Sequence, residues 1–105
     1  MKRFVLHLAA ERDLDEIWEY IATDNIEAAD RLVEEIFVTI RRLTTRPGLG
    51  HWRRDLTGKP VRFAVVREYL IAYAPDEEPL LVLAIAHGRR SPRIISATLS
   101  ERTSS

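Results

Sequence analysis

Leu80-Leu81-Val82-Leu83-Ala84-Ile85-Ala86, followed directly by His87-Gly88-Arg89-Arg90-Ser91-Pro92-Arg93, decides how the chain is read. Seven apolar residues without polar alternation fit a strand buried on both faces, so this run predicts the central strand of a covered sheet. The turn after it carries three guanidinium groups on a support that the core must hold rigid, and it can present that charge to a partner. A second cationic cluster, His51-Trp52-Arg53-Arg54, follows the glycine-containing turn Pro47-Gly48-Leu49-Gly50. The two clusters share one face if the strands between them form an antiparallel sheet.

Outward from the apolar run, the grammar on the N-terminal side is also that of strands. Val61–Arg67 and Tyr69–Ala74 are dense in β-branched and aromatic residues, with room only for a tight hairpin near Arg67-Glu68. Pro75-Asp76-Glu77-Glu78-Pro79 makes the next turn. On the C-terminal side Ser91-Pro92 reads as a cap with a first-position proline, and Ile94, Ile95, Thr98 and Leu99 allow one short helix before a frayed tail at 101–105.

The first 45 residues are helical in pattern. After a short strand at Phe4–Leu8, the apolar stripe Leu14, Ile17, Trp18, Ile21 predicts a helix from about Glu11 to Ala22. Asp24 with Glu27, or Asn25 alone, can cap the next helix. There the stripe Ala29, Leu32, Val33, Ile36, Phe37, Ile40, Leu43 runs until Pro47-Gly48 stops it. With so few residues between them the two helices return on each other as a helical hairpin. The expected fold is α+β: an N-terminal strand, a helical hairpin packed on a small, mainly antiparallel sheet, and a short C-terminal helix. Residues 1–100 form one domain on this reading.

Composition narrows the function classes. The chain has 105 residues, 46% hydrophobic, enough for one modest core. It contains no cysteine, which removes disulfides and thiolate metal sites and suits a reducing, cytoplasmic setting. Phe4-Val5-Leu6 is too short for a signal or membrane segment. The net charge is zero, but acids exceed bases by four up to Thr44 and the remainder compensates, mostly with arginine. Such a chain suits a polar partner surface better than bulk coating of nucleic acid.

No motif for cofactor or metal chemistry emerges, and none is expected to bind. His7, His51 and His87 are far apart and lack ligand-spaced neighbours. Neither Gly48-Leu49-Gly50 nor Gly58-Lys59 has the spacing of a phosphate loop, and Ser91 has no nucleophile-elbow context. RNA cleavage would need a base for the 2′-OH, an acid for the leaving oxygen and cations on the phosphate. His87, His51, Lys59, Tyr69 and Tyr73 are the groups that could supply acid or base. No Tyr, His or Lys follows Arg93.

Taken in order, Leu14-Asp15-Glu16-Ile17-Trp18-Glu19-Tyr20-Ile21-Ala22, Asn25, Ala28-Ala29, Leu43, Pro47-Gly48-Leu49-Gly50, Arg53-Arg54-Asp55-Leu56, Tyr69-Leu70-Ile71-Ala72-Tyr73 and His87-Gly88-Arg89-Arg90 resemble the RelE/ParE superfamily of bacterial toxins. The resemblance covers nearly the whole chain and implies the toxin of a type II toxin–antitoxin pair. RelE-like members are ribosome-dependent mRNA endonucleases with a basic cluster and usually a C-terminal acid–base residue. ParE-like members lack that set and stabilise the cleaved-DNA complex of DNA gyrase without catalysis of their own. Ile94-Ile95-Ser96-Ala97-Thr98-Leu99 offers no such residue, so the resemblance implies the ParE side.

On that reading no residue is catalytic, and Arg89, Arg90, Arg93, Trp52, Arg53 and Arg54 bind the target. The alternative, an mRNA endoribonuclease acting on ribosomes, would rely on Lys59, Arg62 and His87. A third is an inactive relative that only binds an antitoxin. A ParD-like antitoxin is implied as partner, without which direct DNA binding is not expected, with Phe4, Trp18, Phe37 and Trp52 as groove candidates. Of these, Trp18 and Phe37 belong to helix stripes and read first as core, whereas Trp52, in a loop beside Arg53 and Arg54, reads as an exposed anchor. The sequence departs from many relatives at Ser91, where an acid commonly follows the arginine pair.

Overall fold

The computed structural model describes residues 3–103. Its elements are β1 (Phe4–Leu6), α1 (Leu8–Ala22), α2 (Ile26–Thr45), a 3₁₀ turn (Pro47–Leu49), β2 (His51–Trp52), β3 (Arg62–Val66), β4 (Tyr69–Ala74), β5 (Leu80–His87) and α3 (Pro92–Thr103). The five strands form one sheet in the order β1-β5-β4-β3-β2, antiparallel except where β1 runs parallel to β5. The α+β architecture read from the sequence is therefore the architecture observed.

Each face of the sheet carries its own core. On one, Ala64, Val66, Ile71, Tyr73, Val82 and Ile85 meet Leu14 of α1 and Leu32, Ile36, Ile40 and Leu43 of α2. On the other, Phe63, Leu70, Ala72, Leu83 and Ala84 meet Ile95 and Leu99 of α3 and Leu56 and Val61 of the loop before β3. β5 is covered on both sides as its composition requires, but it lies between β1 and β4 and the middle strand is β4. The missing alternation has a second cause. Tyr73 pairs with Val82 and Ala72 with Ala84, so Leu83 is the extra residue of a β-bulge, and Leu83 and Ala84 both serve the α3 core.

The ends of α1 and α3 correct the sequence reading. His7 Nδ1 accepts from the Ala9 amide at 3.0 Å and caps α1, so the strand stops at Leu6 and the helix starts at Leu8, not Glu11. For α2 the cap is Asn25, whose side chain accepts from Ala28 N at 3.0 Å. Ser91 Oγ accepts from Arg93 N at 3.2 Å with Pro92 next to it, and α3 then continues well beyond Leu99. The tail read at 101–105 is thus helical at Glu101, Arg102 and Thr103, while Ser104 and Ser105 lie outside the described residues.

Arg102 explains that extension. Its guanidinium meets the Asp13 carboxylate at 2.6 and 3.1 Å and donates to Leu83 O at 3.0 Å, while Asp13 Oδ2 accepts from Ile85 N at 3.0 Å. The bulge turns these two β5 backbone groups outward beyond the reach of β1, and the ion pair satisfies both. Sequence periodicity gives no sign of a partner 89 residues away.

A second anchor is Tyr73. Its hydroxyl donates to Pro47 O at 2.6 Å and accepts from Gly50 N at 2.8 Å, fixing the segment that leads into β2. A Cβ on Gly50 would stand 2.6 Å from that oxygen and 2.8 Å from Phe63 O, so only glycine fits. Burial pushes the Tyr73 phenol above the usual tyrosine range, against the opposing effects of the Gly50 hydrogen bond and the Arg62 charge. A phenol kept neutral in the fold contributes stability that is complete below about pH 10 and is lost as pH rises through the folded-state value. Tyr73→Phe is expected to cost about 1–3 kcal/mol in urea unfolding at neutral pH, because Gly50 N and Pro47 O lose their partner. It should also weaken the alkaline fall in stability, and an unchanged alkaline limb would show that Tyr73 does not drive it.

Candidate functional site

The turn after β5 is built from backbone upward. Gly88 N donates to Glu68 O at 2.7 Å and Arg90 N to His87 O at 3.0 Å, so the turn is tied to the β3–β4 hairpin beside it. His87 Nδ1 accepts from Arg89 N at 3.0 Å, which leaves the proton on Nε2, facing the Glu68 carboxylate at 3.3 Å. The ring also stands edge-on to Tyr69, with centroids 5.2 Å apart. Both nitrogens of His87 are therefore occupied in holding the turn. Burial first, then the Glu68 carboxylate, pushes the Tyr69 phenol up.

Arg89, Arg90 and Arg93 are exposed, and among the described residues no acid pairs with any of them. They flank the N-terminus of α3, where the helix dipole is positive. Ordinary sequence preference would place acids there, so three guanidiniums oppose the local rule. Arg90 also reaches a groove of about 590 Å³, which lies between α1, α2 and the hairpin end of the sheet and is lined by Tyr20, Arg31, Arg67, Tyr69 and His87 among others.

The second cluster is organised differently. Trp52 is a strand residue, not a loop residue, paired with Arg62 in β2–β3. Its indole lies against two guanidiniums, Arg62 at 4.3 Å and Arg54 at 4.8 Å from the ring centroid. Arg62 Nη1 also donates to Gly50 O at 2.7 Å, and Arg54 Nη1 to Gly58 O at 3.3 Å. Arg53 is committed to Asp55 by a two-pronged ion pair, 2.8 and 3.0 Å, which lowers the carboxyl and raises the guanidinium.

The two clusters do not form one patch. Trp52 lies in the register row of Arg62, Tyr73 and Val82, whereas His87 lies in the row of Tyr69 and Val66. That separates them by four residues along β4, roughly 13 Å, and by three strand spacings, about 14 Å. The same register parts Arg62 from His87, so the set Lys59, Arg62 and His87 is not assembled around one point. Among the described residues no three His, Asp or Glu side chains gather to hold a metal ion. Trp18 and Phe37 are half-buried and share a groove of about 380 Å³ on the outer side of the helical hairpin, with Trp18 Nε1 donating to Asp30. Phe4 packs on Phe37 at 6.1 Å.

Comparison with known proteins now fits this geometry. A structure titled "Chromosomal ParDE TA system from P. aeruginosa" shares the fold, with a TM-score of 0.68 over 83% of this chain and 96% of that chain, at 20% identity. The family model described as the ParE toxin of the type II toxin–antitoxin system parDE matches residues 4–92. Toxin ParE2 of Mycobacterium tuberculosis, in strains CDC 1551 / Oshkosh and H37Rv, is 30% identical over 97% of this chain and 96% of its own length. The chain belongs to the ParE toxin family within the RelE/ParE superfamily. Among the described residues no helix is long and apolar enough to cross a membrane.

Proposed function

We propose that this protein is the toxin of a type II toxin–antitoxin pair in the cytoplasm, that it inhibits DNA gyrase by stabilising the cleaved-DNA complex, and that a ParD-like antitoxin neutralises it. The observation that carries the reading is the His87–Arg93 turn, whose three guanidiniums, unpaired among the described residues, surround the positive end of α3 on a hydrogen-bonded backbone. A local electrostatic conflict kept at an exposed site fits contact with an acidic or phosphate-bearing target. Arg89, Arg90 and Arg93 make the primary contact on this reading, and Trp52, Arg53 and Arg54 a second one.

No reaction of the toxin's own is required. His87, the natural acid–base candidate, is engaged at both nitrogens, and Lys59 and Arg62 lie at the far end of the sheet. The antitoxin would mask the turn with its own acids, paying its ordering entropy on binding.

The test is the purified protein, freed from antitoxin, incubated with gyrase, supercoiled plasmid and ATP. Accumulation of cleaved plasmid is the expected result. Folded protein that leaves gyrase unaffected would overturn the target assignment and move attention to mRNA cleavage on translating ribosomes.

A further inference from the structure

The chain's zero net charge conceals a strongly basic edge. Residues 41–62 hold seven of its sixteen Lys and Arg and one of its sixteen acids. That acid, Asp55, is already neutralised by Arg53. The segment runs from the end of α2 through β2 to the start of β3, the outer edge of the sheet. The acidic turn Asp76–Glu78 joins β4 to β5 and so bounds this surface on its inner side.

Trp52 gives the edge a fixed centre. Its ring holds the guanidiniums of Arg54 and Arg62, and one carbonyl on each arginine fixes the remaining freedom. Each guanidinium still has N–H groups to offer, because five donors exceed the one contact made inside the protein. Lys59 directly follows Gly58, whose carbonyl holds Arg54. With both arginines against it, Trp52 orders the cations and is not left open as a stacking platform for a base. Preordered arginines lose little rotamer freedom when they bind a phosphate.

We propose that this edge, centred on Arg54, Arg62 and Lys59 around Trp52, binds the phosphodiester backbone of duplex DNA. For its place in the toxin's action the proposal rests on the gyrase reading, where the DNA is the segment held by the enzyme. As a binding site it is a property of the isolated chain. Three cations and no base-reading element give weak, sequence-independent binding that becomes strong only when the DNA is held close by another contact.

The experiment is fluorescence anisotropy of a labelled DNA duplex titrated with free toxin at a series of salt concentrations. Three phosphate contacts predict a log–log slope of about −3. Arg54→Gln with Lys59→Gln should reduce the magnitude of that slope by about 2, while Arg3→Gln with Arg12→Gln, the same charge change just before β1 and on α1, should leave it unchanged. In Trp18→Phe protein, where Trp52 is the remaining indole, duplex should alter the emission.

Single-stranded RNA of equal length should give a shallower slope through the same contacts. Absence of duplex binding at low salt would overturn the proposal, as would equal loss in the Arg3 and Arg12 control. Polyglutamate binding as tightly as duplex would assign the edge to an acidic protein, and RNA binding more tightly than duplex would remove the DNA assignment. None of these readouts involves gyrase, so they separate failure of this site from failure of the target reading.

Discussion

Arg89→Ala combined with Arg90→Ala is expected to abolish growth inhibition on induced expression and to abolish accumulation of gyrase-cleaved plasmid in vitro, while the fold survives. The two side chains are exposed and unpaired among the described residues, so their loss should change unfolding free energy by no more than about 0.5 kcal/mol. The backbone of the turn is held independently of them, by Glu68 and His87. A lysine pair at the same positions keeps the charge but loses the planar fork, and intermediate toxicity is expected. Equal protein levels, checked by immunoblot, make the comparison meaningful. Full toxicity of the alanine pair would remove these residues from the target contact.

Asp13→Ala should be the most destabilising single change at a polar site. Asp13 and Arg102 are only 17% and 16% exposed, and removal of the carboxylate leaves a nearly buried guanidinium without its counter-charge and Ile85 N without an acceptor. Breaking such a pair costs about 3–5 kcal/mol, a large share of a total stability of about 5–15 kcal/mol. The urea midpoint should fall sharply with little change in slope. Arg102→Met should cost a similar amount, since it strands the carboxylate instead. The double change Asp13→Leu with Arg102→Met should cost clearly less than the sum. Strict additivity would mean that the two groups stabilise the fold separately.

The parts of this molecule that follow local rules were legible in the sequence. The stripe from Ala29 to Leu43 gave α2 and its buried face, Asn25 and Ser91 were recognisable as caps, and Arg67-Glu68 could only be a tight turn. What escaped depended on distant partners. Leu8 looked like strand because nothing local shows that the His7 ring will accept from Ala9 and start a helix there. Trp52 looked like loop because two-residue β2 exists only through pairing with Phe63 and Arg62. Glu101 to Thr103 looked loose until Asp13 gave Arg102 a partner. The arginine turn was visible as chemistry, but its separation from the Trp52 cluster required the sheet register, which charge counting cannot supply.

The single extra residue Leu83 sets which way the arginine turn faces. Side chains alternate across a strand, so one inserted residue reverses the parity of everything downstream in β5. With Leu83 present, Ile85 and His87 point toward the helical hairpin, where His87 meets Tyr69 and Glu68. Were Leu83 instead paired in register with β4, every residue after it in β5 would change faces, and His87 would be sent to the α3 side. The orientation of the arginine turn is thus set by how one buried apolar residue, four positions upstream of His87, is accommodated in the strand.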